Sequence, residues 1–382
     1  MIVLSKKAVD MLKKIIFPGI ALISVCYAFG RFSYGLFMPE ISESLQLNDA
    51  QSGAINSATY IAYCLSLIIA PLIINRIGHY PVIHMAGISA ILGLLGIALS
   101  PNALVLTIAV FLAGLSTGLA SPALGNTVYA ELQPEQQARG NSWINTGTSF
   151  GIIVSGPIYL LFSEYWRWSY IFFAVLGVLV LLWNRRALSP LKTEPCTKSL
   201  WACMKPTRPG VALLMASLLT GFSSAIYWTF ARSFLTDEKG ASDSEAVLFW
   251  IVMGILGILG GCAGRIIERI GIGRSYHVGI LLLAISLGVI ILPSMTASLT
   301  SAVMFGSTYI FLTSVFIVWA TRLFRPNTSI GISLAFLALG AGQFFGSSIA
   351  GYTIDAFSNT TAFIAFAVLG LFGLLIRVKV AD

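Results

Sequence analysis

One arginine lies inside an apolar run near the N-terminus, and two tyrosines accompany it. The run covers residues 15–38 and contains Tyr27, Arg31 and Tyr34. In an α-helix these positions, spaced i, i+4 and i+7, share one face. A guanidinium group suits a planar carboxylate because it can donate two parallel hydrogen bonds to it. The spacing therefore predicts a binding site for an anion that carries a carboxylate.

Other polar side chains deep in apolar runs predict further contacts to the same solute. They are Asn145, Tyr227, Trp228 and Gln343. Polar groups also bond one helix to another inside a membrane. Each of these residues therefore has a structural alternative.

The composition indicates a chain that crosses a membrane many times. Of its 382 residues, 57% are hydrophobic and 10% are charged, whereas soluble proteins carry about 25% charged residues. Runs of about 20 apolar residues cross the hydrocarbon core as helices. We identify twelve runs, called spans 1 to 12, at residues 15–38, 51–74, 82–100, 103–130, 140–162, 168–186, 209–234, 245–267, 276–293, 297–321, 329–353 and 360–378.

Placing the charge of Arg31 inside a membrane span costs free energy. A cation at the centre of a span costs about 3 kcal/mol or more unless it is paired or hydrated, and no Asp or Glu lies in the central part of any span. One alternative is that Arg31 bonds helix carbonyls and tyrosine hydroxyls. We favour the other, in which the substrate brings the carboxylate.

The chain repeats itself after about half its length. Pro-Gly-x-Ala-Leu opens span 1 at 18–22 and span 7 at 209–213, positions 191 apart. Arg-Ile-Gly closes span 2 at 76–78 and span 8 at 269–271, positions 193 apart. Two matches at nearly one offset predict two similar helix bundles in tandem. We place the bundles at 1–186 and 209–382, with a cytoplasmic linker at 187–208.

Basic residues predict the orientation. With the N-terminus inside, the inner connections and both tails hold 19 of the 23 Lys and Arg residues. Basic loops stay on the cytoplasmic side, so we expect both termini inside and a multi-pass protein of the bacterial cytoplasmic membrane. Topology accounts for the net charge of +8, and no nucleic-acid partner is predicted.

Several functional classes lack their characteristic residues. The five cysteines and three histidines show no metal-ligand spacing, so we expect no metal and no other cofactor. The nucleotide-binding pattern Gly-x4-Gly-Lys-Ser/Thr is absent from the sequence, so ATP bound by this chain is not the energy source. The spans hold no nucleophile–base pair, which argues against an enzyme.

Two loops resemble a motif of a known family. Residues 75–78 read Asn-Arg-Ile-Gly and residues 268–271 read Glu-Arg-Ile-Gly, and both are similar to the Gly-x-x-x-Asp-Arg-x-Gly-Arg-Arg loop of the major facilitator superfamily. Trp-Arg-Trp at 166–168 looks like the outer loop before that family's sixth helix. The resemblance covers essentially the whole chain. It implies an all-α membrane protein with twelve transmembrane helices in two pseudo-symmetric six-helix bundles, N-in and C-in.

The resemblance assigns the loops to an inner gate formed by Asn75, Arg76, Glu268 and Arg269. Asn75 stands where the family usually has Asp, so the first loop should hold the gate more weakly. Glu268 keeps an acid in the second loop. Span 4 lacks the arginine that the family's drug–proton antiporters carry there.

The residues around Arg31 resemble narrower groups within that family. Arg-Phe-Ser-Tyr at 31–34 is similar to the helix 1 motif of proton-coupled peptide transporters, whose arginine belongs to the substrate and proton site. The glutamates that precede it there are replaced by Ala-Phe-Gly at 28–30. The string and Pro39 look more like small bacterial members of the cyanate-permease and YbfB/YjiJ type.

Two opposite charges occupy matching ends of spans 1 and 7. Glu40 lies 22 residues after Pro18, and Arg232 lies 23 residues after Pro209. In the family that the chain resembles, these two helices are partners across the pseudo-two-fold axis. We therefore predict an outer gate formed by Glu40 and Arg232. The alternative is two separate charges that face water and lipid headgroups.

Together these features predict a secondary active transporter that moves a small organic anion by alternating access. Its partners are this solute and the lipid bilayer, protons are a candidate coupling ion, and we expect a monomer. The alternative within the same fold is efflux of amphipathic drug-like or lipid-like compounds.

Overall fold

The computed structural model describes residues 6–162, 165–188, 208–260, 263–324 and 328–378, and every regular element in these ranges is a helix. A π-helix at Ser24–Phe32, a second at Phe234–Glu238 and a 3-10 turn at Phe372–Leu375 accompany the α-helices. The predicted linker at 187–208 lies almost entirely outside the described residues. The α-helices are α1 (Lys6–Ile23), α2 (Ser33–Leu45), α3 (Asp49–Ile77), α4 (His79–Ala98), α5 (Ala103–Glu131), α6 (Pro134–Asn145), α7 (Gly147–Leu161), α8 (Trp166–Ala187), α9 (Arg208–Ser233), α10 (Asp243–Leu259), α11 (Ala263–Ile270), α12 (Ile272–Val289), α13 (Met295–Leu323), α14 (Thr328–Ala356) and α15 (Asn359–Leu371).

Ten helices in the described ranges are long and apolar enough to cross a membrane. The segment Asn359–Leu375 is apolar but shorter, and predicted span 8 is divided between α10 and α11. Large apolar side chains such as Leu104 lie exposed on the helix surfaces, as lipid-facing residues do. The expectation of an all-α, multi-pass membrane protein is confirmed. The count of twelve spans and the orientation stay predictions.

Span 1 is not one continuous α-helix, because the π-helix Ser24–Phe32 separates α1 from α2. A π-helix closes its hydrogen bonds over five residues instead of four, and such segments are frequent at functional sites. Helix α7 packs against this segment. The Ser24 hydroxyl donates to the Gly147 carbonyl oxygen at 2.7 Å, and a Cβ atom on Gly151 would collide with Ala28. Close packing by α7 thus accompanies the widened turns that end at Arg31.

The two repeated loops have the same backbone geometry. Gly78 precedes α4 with φ of 86°, and Gly271 precedes α12 with φ of 81°. Only glycine adopts such a conformation without strain. The Gly78 amide donates to the Ile74 carbonyl at 2.8 Å, and the Gly271 amide donates to the Ile267 carbonyl at 2.9 Å. The Arg-Ile-Gly element therefore has the same backbone geometry in both copies.

The chain divides into two compact units. Unit 1 comprises Met1–Ser33 and Ala62–Cys196, and unit 2 comprises Tyr34–Ile61 and Thr197–Asp382. In unit 1, α4 packs against α5 and α8, and α7 packs against the π-helix. In unit 2, α9 packs along α14, and α13 packs against α10 and α12. The division into bundles at 1–186 and 209–382 stays a prediction.

Candidate functional site

Arg31 lies in unit 1 with its guanidinium group buried among aromatic rings. The side chain ends the π-helix and is 3% exposed. Its Cζ atom lies 4.2 Å from the ring centre of Tyr63, 5.1 Å from that of Phe32 and 5.8 Å from that of Tyr27. Rings at this range attract a cation through their negative faces. The aromatic surroundings therefore lower the cost of holding the charge inside the span.

Tyr63 is the ring closest to Arg31 among these three, and it lies outside span 1, on whose spacing the predicted anion site was based. It lies on α3, and its ring meets that of Tyr27 edge-on at 6.4 Å. Helix α5 approaches closely here, because a Cβ atom on Gly118 would lie 2.6 Å from the Tyr63 carbonyl oxygen. Spacing within span 1 could not reveal a partner that another helix supplies.

Tyr34 lies in unit 2, where its environment is different from that of Arg31. Its hydroxyl donates to the Ser52 carbonyl oxygen at 3.3 Å, and the residue is 2% exposed. The α-helical face predicted for Tyr27, Arg31 and Tyr34 is interrupted. Tyr27 and Arg31 nevertheless contact each other within the π-helix, where the Arg31 Cζ atom lies 5.8 Å from the Tyr27 ring centre.

Asn145 is the last residue of α6, and its side chain is exposed. Predicted span 5 is divided at this point, since α6 ends at Asn145 and α7 begins at Gly147. Asn145 thus differs from the buried Arg31 of the same unit. Its predicted contact with the solute remains a prediction.

Tyr227 is part of the packed core of unit 2. The residue is 0% exposed, and its hydroxyl shares a 2.8 Å hydrogen bond with the Ser301 hydroxyl on α13. Its ring stacks on Phe305 with centres 3.8 Å apart and on Phe249 at 5.7 Å. In this conformation Tyr227 joins α9 to α13 and α10.

Trp228 and Gln343 both contact Tyr309, and we call these three residues the Tyr309 cluster. The Gln343 amide Nε2 donates to the Tyr309 hydroxyl at 3.2 Å. The Trp228 ring meets Tyr309 edge-on at 5.2 Å and Phe305 at 5.3 Å. All are buried in unit 2. The cluster joins α9, α13 and α14 through ring contacts and one hydrogen bond.

Arg232 binds two carboxylates at one end of unit 2. Its Nη1 donates to Glu40 Oε2 at 2.7 Å, and its Nη2 lies 2.7 Å from Glu40 Oε1 and 2.8 Å from Asp243 Oδ1. Arg232 is 1% exposed, Glu40 21% and Asp243 52%. The ion pair that the repeat predicted is present with forked geometry. Asp243, which the sequence analysis did not name, is a further partner.

Glycine and polar contacts bring neighbouring segments of unit 2 close together. A Cβ atom on Gly35 would overlap the Trp228 carbonyl oxygen, so α2 crosses α9 at backbone distance. The Asn56 amide Nδ2 donates to the Thr229 hydroxyl at 2.8 Å. Glu40 therefore approaches Arg232 as part of a closely packed crossing.

The four residues predicted for the inner gate occupy matching places in the two repeated loops. Asn75 and Arg76 end α3, and Glu268 and Arg269 lie near the end of α11. All four side chains are exposed. Their gating role stays a prediction.

Within the described ranges, no group of three or more His, Cys, Asp or Glu side chains could hold a metal ion.

Comparison with known proteins identifies the family. The model of the Major Facilitator Superfamily matches residues 20–329 and 213–381. The chain is 25% identical over 378 residues to the hexuronate transporter of Bacillus subtilis (strain 168), covering 91% of this chain and 88% of that protein. Over 253 residues it is 22% identical to the purine ribonucleoside efflux pump NepI of Escherichia coli (strain K12), covering 65% of this chain and 64% of the pump.

Solved structures share the fold. A variant of the nucleoside transporter NupG superposes with a TM-score of 0.78 at 13% identity, covering 96% of this chain and 98% of that one. Together with the helical membrane fold and the family match across the chain, this shows a membrane transporter and not an enzyme. The chain belongs to the Major Facilitator Superfamily.

Proposed function

We propose that this transporter carries a small organic anion with a carboxylate group. The observation that supports it most is the Arg31 guanidinium, 3% exposed in an apolar span and 4.2 Å from the Tyr63 ring. A positive charge in this setting attracts an anion, and its forked donors favour a planar carboxylate over a neutral group. The hexuronate transporter, whose match covers 91% of this chain, is named for hexuronates, which are sugar carboxylates.

Alternating access is the proposed mechanism, with twelve spans in two six-helix bundles and both termini inside the bacterial cytoplasmic membrane. In this mechanism the ion pair of Glu40 and Arg232 closes the outer side. The loops around Arg76 and Arg269 close the inner side when the outer side opens. Protons are a candidate coupling ion, since a weak acid can carry a proton across the membrane in its own carboxyl group.

Efflux of amphipathic drug-like or lipid-like compounds is the second candidate. The Tyr309 cluster favours it, because aromatic rings can contact a flat apolar molecule that carries no charge. A relative over 65% of the chain is named as an efflux pump for purine ribonucleosides. Under this alternative, neutral aromatic solutes would bind and carboxylates would not.

A ligand-stabilisation screen of the purified protein separates the two candidates. The probes are D-glucuronate, the neutral D-glucose and the neutral aromatic inosine. We expect D-glucuronate alone to raise the unfolding temperature, since a ligand at 100 times its Kd stabilises the folded state by about 2.7 kcal/mol. Stabilisation by inosine without D-glucuronate would support efflux and contradict an anion site.

The inner gate should depend more on the second loop than on the first. Arg269 follows the acidic Glu268, whereas Arg76 follows the uncharged Asn75. Exposed ion pairs contribute about 0–1 kcal/mol, so Glu268→Gln should shift the carrier toward the inward-open state by up to about fivefold. Asn75→Ala should shift it less.

Labelling of a cysteine introduced on the inner side, in both variants, measures this shift. An equal effect of the two substitutions, or a larger effect of Asn75→Ala, contradicts the asymmetry between the loops.

A further inference from the structure

We propose that Asp243 is a positioning residue for the transport cycle, which keeps Arg232 neutralised while Glu40 moves away. The inference rests on the proposed alternating access and assigns a residue for the opening of the outer side. It concerns a carboxylate that no sequence pattern connected with Arg232, and it is drawn from the three-way contact at Arg232.

The two carboxylates reach Arg232 from different parts of the chain. Glu40 lies on α2, 192 residues before Arg232, and takes both prongs of the guanidinium fork. Asp243 is the first residue of α10, 11 residues after Arg232, and shares the Nη2 atom with Glu40. Only Asp243 is linked to Arg232 by a short stretch of chain.

In the proposed bundles at 1–186 and 209–382, α2 and α9 belong to different bundles, so opening of the outer side would part the backbone contact that the two helices make at Gly35. Glu40 leaves with α2. Glu40 and Asp243 both contact the Nη2 atom of Arg232, so the two carboxylates repel each other while the outer side is closed. A carboxylate that stays with Arg232 loses this repulsion when Glu40 leaves and keeps its own bond to the guanidinium group. Asp243 is this carboxylate.

The position of Asp243 is fixed independently of Arg232. Ser242 caps α10, accepting from the Glu245 amide at 3.4 Å, while Glu245 Oε2 accepts from the Ser242 amide at 2.9 Å. This capping box holds the first turn of the helix in place. Asp243 is 52% exposed, so water can compensate its charge in either state.

The two carboxylates therefore have opposite effects on one equilibrium. Glu40 stabilises the closed outer side, so Glu40→Gln should favour opening. Asp243 stabilises Arg232 after Glu40 has left, so Asp243→Asn should disfavour opening. A carboxylate that merely strengthened the closed ion pair would act in the same direction as Glu40.

The experiment measures the distance between spin labels at Ser44 and Ser244, which are both exposed, in purified protein whose native cysteines are replaced by serine. No substrate is needed. Relative to the parent protein, we expect at least a threefold larger long-distance population with Glu40→Gln and at least a threefold smaller one with Asp243→Asn. Asp243→Glu keeps the carboxylate and should retain the parental distribution.

Glu245→Gln is the matched control. It removes an acid from the same turn of α10, and glutamine still completes a capping box. We expect the parental distribution. A larger long-distance population with Asp243→Asn, or one equal to that of Glu245→Gln, overturns the proposal. A single short distance in every variant, the parent included, contradicts alternating access at this end and the role of Asp243 with it.

Discussion

Replacing Arg31 with alanine is expected to abolish carboxylate transport while the protein remains folded. Truncating one partner of a buried charge pair costs about 2–5 kcal/mol, which corresponds to roughly 30-fold to 4,000-fold in affinity. Arg31→Lys should also transport poorly, mainly through a higher KM. Lysine keeps the charge but loses the forked donors and the flat group that lies 4.2 Å from Tyr63.

Uptake by proteoliposomes, with D-glucuronate as the probe, measures both variants. The matched control is Arg167→Lys, because the Arg167 Cζ also lies 4.2 Å from an aromatic ring, that of Trp166, but outside the proposed site. We expect Arg167→Lys to retain transport. Parental uptake by the Arg31→Ala protein would remove Arg31 from the substrate site.

Reversing either charge of the outer ion pair should also have a large effect. Glu40→Arg places two cations together, and Arg232→Glu places an acid between Glu40 and Asp243. Breaking a buried pair costs about 3–5 kcal/mol, enough to hold the outer side open in either single variant. We expect each to lose at least about 90% of transport.

The combined variant Glu40→Arg with Arg232→Glu restores an ion pair, so transport should recover. Recovery will be partial, because the glutamate introduced at position 232 lies beside Asp243 and repels it. In the parent protein, Asp243 Oδ1 lies 2.8 Å from Arg232 Nη2. Adding Asp243→Asn removes that repulsion and should increase recovery. Harmless single variants, or a combined variant as inactive as the singles, would show that the pair is not a gate.

The parts of the structure that the sequence predicted correctly depend on local patterns. Apolar runs identified the helices, and the two Arg-Ile-Gly loops predicted a repeated geometry that Gly78 and Gly271 both adopt. The repeat also placed Glu40 and Arg232 together. In each case the signal lies within a short segment or between two copies of one segment.

The parts that the sequence missed depend on packing between distant segments. The π-helix at Ser24–Phe32, which lies against glycines of α7, was not predicted from the spacing within span 1. Tyr63 reaches Arg31 from α3. Asp243 begins α10 as its counterpart Asp49 begins α3, but nothing in this repeat indicates a contact with Arg232. Such contacts follow from the tertiary structure and not from any periodicity.

The most direct test of the account is exchange of a labelled carboxylate across the membrane of proteoliposomes that contain the purified protein. The proteoliposomes are preloaded with unlabelled D-glucuronate or its neutral amide, and labelled D-glucuronate is then added outside. The account predicts accumulation of label with the acid, none with the amide, and none for Arg31→Ala. Equal exchange with the acid and the amide, or exchange that survives Arg31→Ala, would contradict a carboxylate carrier that uses Arg31.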